Sequence, residues 1–251
     1  MDFVKKFYKI IWPVCNGAMV FANILWFPAD KFVVEIFSKV CYTLTVANAY
    51  GFGPGGQNMK IYTIIGGVNG VGKSSFTGVL KSRTRDLGMI VDVDKITAQL
   101  GGKPLEGGKR AIHIMENCIR DGVSFTQETT LSGHRSKAAA RKAKDAGYYV
   151  RLYYIGLNTA AESQQRIANR VAKGGHNIAA EDVERRFLGR WMAVQAVLPY
   201  CDEAVFYDND NGFVEVATYR NGELILEGDH RPKWIMELSE YLKDSVKLGD
   251  E

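Results

Sequence analysis

The chain has 251 residues, of which 46% are hydrophobic and 24% are charged, a composition typical of soluble globular proteins that bury a core. Its net charge of +4 is too small to indicate a nucleic-acid partner, although it suits an anionic substrate. The four cysteines lie far apart without a Cys-x-x-Cys pair, which argues against a zinc site and a disulfide framework. A reducing compartment is the simplest interpretation, so we expect a cytoplasmic protein.

Residues 1–58 differ in composition from the rest of the chain, and three interpretations are open. The uncharged stretch 10–27 follows three lysines, which is typical of a membrane anchor or a signal sequence. Pro13 and Asn16 interrupt that stretch, which favours a small helical module packed on the main domain. Alternatively the native start is Met59, because KIYTIIGG follows it and the preceding GFGPGGQN has the composition of a flexible linker. We therefore treat 1–58 as an N-terminal extension of uncertain nature and 59–251 as the main domain.

From residue 59 onward, strand and helix patterns alternate, and GGKPLEGG at 101–108 predicts a loop. Asn221-Gly222 is a strong signal for a two-residue hairpin turn. The alternation predicts an α/β three-layer sandwich with a mostly parallel central sheet, helices on both faces and a hairpin near the end. Predicted strands are 60–65, 89–93, 123–127, 148–155, 204–207, 213–219 and 223–227. Predicted helices are 73–87, 94–100, 109–120, 135–146, 159–172, 181–198 and 232–242.

The segment GGVNGVGKSS at 66–75 lies between the first predicted strand and the first predicted helix. It contains the pattern GxxxxGK[ST], whose glycines allow several backbone N–H groups to converge on phosphates at a helix N-terminus. Lys73 is expected to reach the terminal phosphates, and the Ser74 hydroxyl is expected to bind Mg²⁺. The loop therefore predicts an ATP or GTP site. Its nucleotide-contacting residues are predicted to be Gly67, Asn69, Gly70, Val71, Gly72, Lys73, Ser74 and Ser75.

A pair of carboxylates, Asp92 and Asp94, ends the second predicted strand. Asp94 is expected at the carboxyl end of the sheet, where α/β proteins bind ligands. A carboxylate there can accept a proton from a substrate hydroxyl. The competing interpretation is that Asp94 is the N-cap of the helix predicted at 94–100.

Polar residues also follow the third predicted strand, in the segment ETTLSG at 128–133. Glu128 is predicted either to bind substrate hydroxyls or to reach Mg²⁺ through water. The alternative is a polar loop that caps the next helix through Thr130 or Ser132.

Arginines flank the glycine-containing segment GGH at 174–176. Arg166 and Arg170 share one helix face, and Arg185 and Arg186 follow the break. Arginines on both sides of a flexible loop suit a lid that closes over a transferring phosphoryl group. The alternative is a solvated helix face.

In combination, GGVNGVGKSSF, VDVDKI, GVSFTQETTLSG, RVAKGGHNI and ERRF resemble the zeta toxin family of P-loop kinases over roughly residues 59–210. The resemblance implies a P-loop kinase domain with a helical lid at 59–251. It also implies a phosphotransferase that uses MgATP to phosphorylate a hydroxyl of UDP-N-acetylglucosamine, as the toxin of a toxin–antitoxin pair with an antitoxin protein as partner.

The resemblance also assigns roles to residues. Asp94 is the acceptor-activating base, Lys73 holds the phosphates, and Arg170 with one of Arg185 or Arg186 stabilises the transferring phosphoryl group. The expected substrate-binding residues are Glu128, Thr129, Thr130, Ser132, Arg166 and His176.

Three alternatives to this function stay open. The same machinery serves metabolic kinases with a different small-molecule acceptor. A nucleotide-dependent switch without acceptor chemistry is less favoured, because no guanine-selecting Asn-Lys-x-Asp motif occurs. A membrane-attached interaction protein is supported by residues 8–27 alone.

Overall fold

The computed structural model describes residues 59–175 and 177–247 of the chain. The three interpretations of residues 1–58, and the predicted substrate-binding residue His176, lie outside the described residues. Within them, no helix has both the length and the apolar character needed to cross a bilayer.

The described part is an α/β three-layer sandwich, a seven-stranded sheet with eight α-helices and one short 3₁₀ segment, Leu198–Tyr200. The strands are β1 (Ile61–Gly66), β2 (Met89–Asp92), β3 (Phe125–Thr129), β4 (Tyr149–Ile155), β5 (Glu203–Asp208), β6 (Val214–Arg220) and β7 (Glu223–Leu226). The helices are α1 (Lys73–Arg83), α2 (Val93–Gln99), α3 (Pro104–Asp121), α4 (His134–Asp145), α5 (Ala160–Ala172), α6 (Ala180–Leu188), α7 (Arg190–Val197) and α8 (Lys233–Lys247).

The strand order is β2-β3-β1-β4-β5-β6-β7, and the first five strands in that order are parallel. Strand β1 lies between β3 and β4, so the chain leaves its carboxyl end at the point where the strand order reverses. Ligands of α/β sheets bind in the crevice at such a point. The topology therefore places the segment that follows β1 at the expected ligand position.

Helices cover both faces of the sheet, and the side chains of each central strand alternate between the two faces. In β4, Leu152 and Tyr154 pack into one hydrophobic cluster with α3, α4, α7 and α8. Tyr153 and Ile155 pack into a second cluster with Phe76 of α1 and with α6. This continuous burial explains why β1 and β4 are mostly apolar, with Thr63 and Arg151 as buried polar exceptions.

The hairpin predicted at Asn221-Gly222 is confirmed. Both residues have positive φ, 53° and 87°, and β6 and β7 pair antiparallel around them. Positive φ at both central positions is the requirement of a type I′ turn, which asparagine and glycine meet at low cost.

The loop predicted at 101–108 is wrong in its second half, because α3 begins at Pro104. Proline fits the first helical turn, since its missing N–H has no partner to lose there. The two glycines that suggested a loop lie inside the helix. A Cβ on Gly107 would lie 1.9 Å from Thr97 Oγ1 of α2, so the glycine is required for close helix packing.

Two other predicted helices differ from the structure, one in its end and one in its continuity. The first ends at Arg83 instead of residue 87, because the chain turns to place Asp86 against Arg151 of β4. The helix predicted at 181–198 is two helices that meet at Gly189. After this break the Arg190 guanidinium lies over the Trp191 ring and bonds Glu237 of α8 at 2.7 Å.

Candidate active site

The phosphate loop connects β1 to α1 and depends on glycines at three positions. Gly67, Gly70 and Gly72 have φ of 143°, 75° and 96°, a backbone region that other residues rarely adopt. At Gly67 a side chain is also excluded by space, since a Cβ would lie 2.5 Å from the Ile155 carbonyl oxygen. Gly72 is the N-cap residue of α1, so the loop carries backbone N–H groups and the positive end of a helix dipole.

Three side chains from distant parts of the chain hold this loop in shape. Ser163 of α5 donates to the Asn69 carbonyl oxygen at 2.6 Å, and Arg186 of α6 donates to Asn69 Oδ1 at 3.0 Å. Asn209, just after β5, donates from Nδ2 to the Val71 carbonyl oxygen at 2.9 Å. The two helices of the predicted lid therefore contact the loop directly.

Lys73 begins α1, and its ammonium group folds back across the loop. Nζ donates to the carbonyl oxygens of Gly67 at 2.8 Å and Val68 at 3.0 Å. Burial lowers the pKa of Lys73 to about 8, while the carboxylates of Glu128 and Asp94 act in the opposite direction. The pKa of Lys73 therefore depends on the charged groups around it.

A hydroxyl and a carboxylate are paired beside Lys73. Ser74 Oγ donates to Glu128 Oε2 at 2.7 Å, and Thr77 Oγ1 donates to the other oxygen, Oε1, at 2.7 Å. Among the described residues there is no cluster of three His, Cys, Asp or Glu side chains that could hold a metal without help. One hydroxyl and one carboxylate nevertheless fit Mg²⁺, which takes few protein ligands and completes its shell with phosphate and water oxygens.

Asp92, the last residue of β2, and Asp94 in α2 both line the cavity at this edge of the sheet, but they have different environments. Asp92 is the N-cap of α2, and its Oδ1 accepts from the backbone N–H groups of Asp94 and Lys95, both at 3.1 Å. Asp92 Oδ2 also pairs with Lys95 at 3.0 Å. Asp94 is therefore not the cap. Its exposed carboxylate lines the cavity described next, and no hydrogen bond to it is found within residues 59–175 and 177–247.

A cavity of about 530 Å³ opens at the carboxyl ends of β1, β2 and β3. Many of the residues predicted from the sequence line it together. They are Asn69, Gly70, Gly72, Lys73, Ser74, Ser75, Asp94, Glu128, Thr129, Thr130, Ser132, Arg166, Arg170 and Arg186.

The remaining predicted loop residues lie behind the cavity wall. Val71 is fully buried in the hydrophobic cluster beside α1, and it meets the site only through its backbone. Gly67 is not a lining residue, although its carbonyl oxygen accepts from Lys73.

Thr130 and Ser132 do not cap α4, whose N-cap residue Gly133 has no side-chain hydrogen bond. Their hydroxyls lie 2.7 Å apart at the cavity wall. Leu131 between them has a φ of 60° and is almost completely buried, so it anchors the loop below the two hydroxyls.

The structure distinguishes the two candidate arginines of α6. Arg186 is half-buried, contacts the phosphate loop and lines the cavity. Arg185 points to solvent with 65% of its side chain exposed, and it pairs with Asp182 at 2.5 Å. Arg170 of α5 also lines the cavity, while Arg166 does so and is paired with Glu162 and Asp210.

Sequence reasoning missed one side of the cavity. Gln127, Arg135 and Ser136 line it, as do Gly108, Ala111, Ile112 and Met115 of α3. A signal for the α3 residues existed, because Pro104 at a helix start would have extended the predicted helix through residue 108. No local signal distinguishes Gln127 from any other strand glutamine.

No family model matches the chain. The chain is 35% identical over 137 residues to an uncharacterized protein of Haemophilus influenzae, and the alignment covers 52% of this chain and 94% of that protein.

Solved structures share the fold. A chain of the PezAT chromosomal toxin–antitoxin system of Streptococcus pneumoniae superposes with a TM-score of 0.52 at 16% identity, covering 86% of this chain and 98% of that chain. The AvrRxo1-ORF1:-ORF2 complex crystallised with ATP gives a TM-score of 0.51 at 15% identity, covering 82% of this chain and 70% of the matched chain. The predicted fold, a three-layer sandwich of the P-loop kinase type with a mostly parallel central sheet, is confirmed.

Proposed function

We propose that this chain, which belongs to one protein family with the Haemophilus influenzae relative and has the zeta-toxin-type P-loop kinase fold, is an ATP-dependent phosphotransferase that acts on a hydroxyl group. The observation that carries the proposal is that Lys73, Asp94 and Arg186 come from three separate elements and line one cavity. A nucleotide-binding switch requires the loop and its lysine but not a carboxylate facing them.

The nucleotide half of the reaction follows from the loop. The backbone N–H groups of residues 67–73 and the N-terminus of α1 hold the phosphate chain of ATP. The Lys73 ammonium exchanges its contacts with the carbonyl oxygens of Gly67 and Val68 for phosphate oxygens. Binding of ATP by a structural neighbour supports this assignment for the present chain.

Magnesium accompanies ATP in this proposal. Ser74 and Glu128 would hold the ion, since their oxygens already lie 2.7 Å apart beside the loop. When bound, Mg²⁺ neutralises charge on the phosphate oxygens during transfer.

Asp94 acts as the base in the acceptor half of the reaction. Its carboxylate takes the proton of the acceptor hydroxyl while that oxygen forms a bond to the γ-phosphorus of ATP. The bond from the γ-phosphorus to the bridging oxygen breaks, and ADP leaves with the electron pair. Arg170 and Arg186 stabilise the negative charge on the transferring group, as an arginine supplied within the same chain does in other phosphoryl-transfer enzymes.

The acceptor that we propose is a nucleotide sugar such as UDP-N-acetylglucosamine. A cavity of about 530 Å³ is in the range of small-molecule sites, and basic residues at its rim suit an anionic substrate. The toxin–antitoxin system of the pneumococcal neighbour supports a toxin role with an antitoxin protein as partner. The runner-up, a metabolic kinase with another acceptor, uses the same residues.

A screen of acceptors tests the proposal. Purified protein is incubated with MgATP and a panel of nucleotide sugars and small alcohols, and products are identified by a mass increase of one phosphoryl group. We expect a phosphorylated nucleotide sugar with the wild-type protein and none with Lys73→Ala. Phosphorylation of a different alcohol would establish the metabolic alternative, and ATP binding without transfer to any acceptor would refute the kinase assignment.

A further inference from the structure

At the end of β3, Glu128 and Gln127 both line the cavity and face opposite sides of the sheet, so they define two halves of it. Glu128 points toward α1, where it bonds Ser74 and Thr77. Gln127 is the preceding residue and points to the opposite face of the sheet, as alternation along a strand requires. Gln127 therefore lies in the half that the phosphate chemistry does not use.

That second half has an apolar wall. Ala111, Ile112 and Met115 of α3 line it, and Ala111 and Met115 also belong to the hydrophobic cluster on this face of the sheet. Arg135 and Ser136 line the same side of the cavity. A buried polar group beside an apolar wall influences which ligand fits, because an unmatched donor loses its hydrogen bond to water without a replacement.

Gln127 is fixed in one orientation by Tyr62. The Tyr62 hydroxyl donates to Gln127 Oε1 at 2.5 Å. Tyr62 itself cannot move, since it is fully buried and stacks on Phe125 with ring centroids 4.3 Å apart. Burial raises the pKa of Tyr62, so the hydroxyl keeps its proton and stays a donor.

The amide nitrogen of Gln127 is left on the cavity side. Only 8% of the residue is exposed, it lines the cavity, and no acceptor for Nε2 is found in the described part of the chain. With Oε1 occupied by Tyr62, the group offered to a ligand is the pair of N–H donors on Nε2. A flip of the amide would leave the Tyr62 proton without an acceptor among the described residues.

We propose that Gln127 is the specificity-determining residue for the phosphate acceptor, and that it selects a carbonyl oxygen carried next to a small alkyl group, as in an acylamino substituent. Nε2 donates to the carbonyl oxygen, and the alkyl group packs against Ala111, Ile112 and Met115. Tyr62 is a positioning residue, because it holds the amide in the donating orientation. The inference rests on the proposed kinase function and deepens it.

The test compares two probes that differ at one substituent, UDP-N-acetylglucosamine and UDP-glucose. Binding of each to the full chain is measured by calorimetry with a non-hydrolysable ATP analogue and Mg²⁺ present. For the wild-type protein we expect the acylated probe to bind at least about tenfold more tightly, the ratio that one buried hydrogen bond supplies.

Gln127→Met removes the N–H donors, nearly keeps the length of the side chain and adds no charge. The ratio of the two affinities therefore reports the lost hydrogen bond. We expect the ratio to fall by about tenfold, which leaves only the contribution of the alkyl packing. Tyr62→Phe is expected to lower it partially, because the amide becomes able to flip, and ATP-analogue affinity should be unchanged in both variants.

The outcomes separate the inference from the function. Equal binding of both probes by the wild-type protein, or an unchanged ratio in Gln127→Met, would overturn the role of Gln127 while the kinase assignment stands. Binding of the ATP analogue with neither probe would overturn the inference together with the proposed acceptor class. Loss of ATP-analogue affinity in Gln127→Met would show a structural role instead.

Discussion

Lys73 links the protonation of the site to its ligand. Its pKa is lowered to about 8 by burial, and by the neighbouring Arg170 and Arg186, against the opposite effect of two carboxylates. Phosphate oxygens favour the charged ammonium form, so their binding raises this pKa again. Above pH 8 the free protein has largely lost the proton that the complex requires, and binding must take up a proton.

We therefore expect ATP affinity to fall as the pH rises above about 8, by up to about tenfold per pH unit. Calorimetry at pH 7.5 and 9.5, in buffers of different ionisation enthalpy, measures both the affinity and the proton uptake. Lys73→Met is the control, for which binding should be weak and insensitive to pH in this range. Constant affinity of the wild-type protein across these values would contradict the assignment.

Arg185 and Arg186 provide a matched pair of adjacent residues. Arg186 lines the cavity and bonds Asn69, while Arg185 forms an exposed ion pair with Asp182. We expect Arg186→Ala to lower kcat by about 10³-fold or more, the range found for arginines that stabilise a transferring phosphoryl group. Arg185→Ala should change kcat little, because Arg185 is exposed and does not line the cavity. Similar losses in both variants would point to a general effect of the α6 face.

At the level of elements, an ion pair joins the loop before β2 to the middle of the sheet. The Arg151 guanidinium is 2% exposed and donates to both Asp86 oxygens at 2.8 Å, while its Nε donates to Thr63 Oγ1 at 2.8 Å. Removal of the carboxylate would leave a buried charge without its partner. The cost of that state is larger than the net contribution of the intact pair.

For Asp86→Ala we expect a decrease of about 3–5 kcal/mol in the free energy of unfolding, measured by urea denaturation. Asp145→Ala is the control, because Asp145 forms an exposed pair with Arg141 at 3.7 Å and its loss should cost less than about 1 kcal/mol. Equal effects of the two variants would mean that Arg151 finds another partner or reaches water.

Local sequence patterns predicted some element boundaries correctly and others incorrectly. The loop at 66–75 was predictable because its glycines and lysine serve local requirements of turn and helix start. The start of α3 was missed because Gly107, a loop signal in isolation, is required by Thr97 across a helix–helix contact. The sequence pattern offered Asp94 as a possible cap of α2, whereas Asp92 is the cap, because its carboxylate faces the free N–H groups of a helix that begins one residue earlier than predicted.

At the scale of the whole molecule, the parallel topology was predictable and the complete cavity was not. Alternation of strands and helices indicates which strand ends meet at one edge of the sheet, so Lys73, Asp94 and Glu128 were expected together. The choice of Arg186 over Arg185 depends on Asn69, 117 residues away. The role of Gln127 depends on Tyr62, 65 residues away. Contacts of this kind have no signature in a local pattern.

The described fold also gives an expectation for the domain boundary. Strand β1 begins at Ile61, and we expect residues 59–251 expressed alone to fold cooperatively and to bind ATP with the affinity of the full chain. Thermal unfolding and calorimetry on both proteins measure this. An insoluble fragment, or one that does not bind ATP, would show that residues 1–58 are part of the functional domain.

The central claim is that Asp94 activates an acceptor hydroxyl opposite the phosphates of ATP. The measurement that tests it most directly is phosphoryl transfer by Asp94→Asn, beside its affinity for ATP and with Asp92→Asn as the control, since asparagine caps a helix as well as aspartate. We expect Asp94→Asn to lose about 10²- to 10⁴-fold in kcat with unchanged ATP affinity, and Asp92→Asn to retain most of its activity. Full transfer activity in Asp94→Asn would contradict the claim.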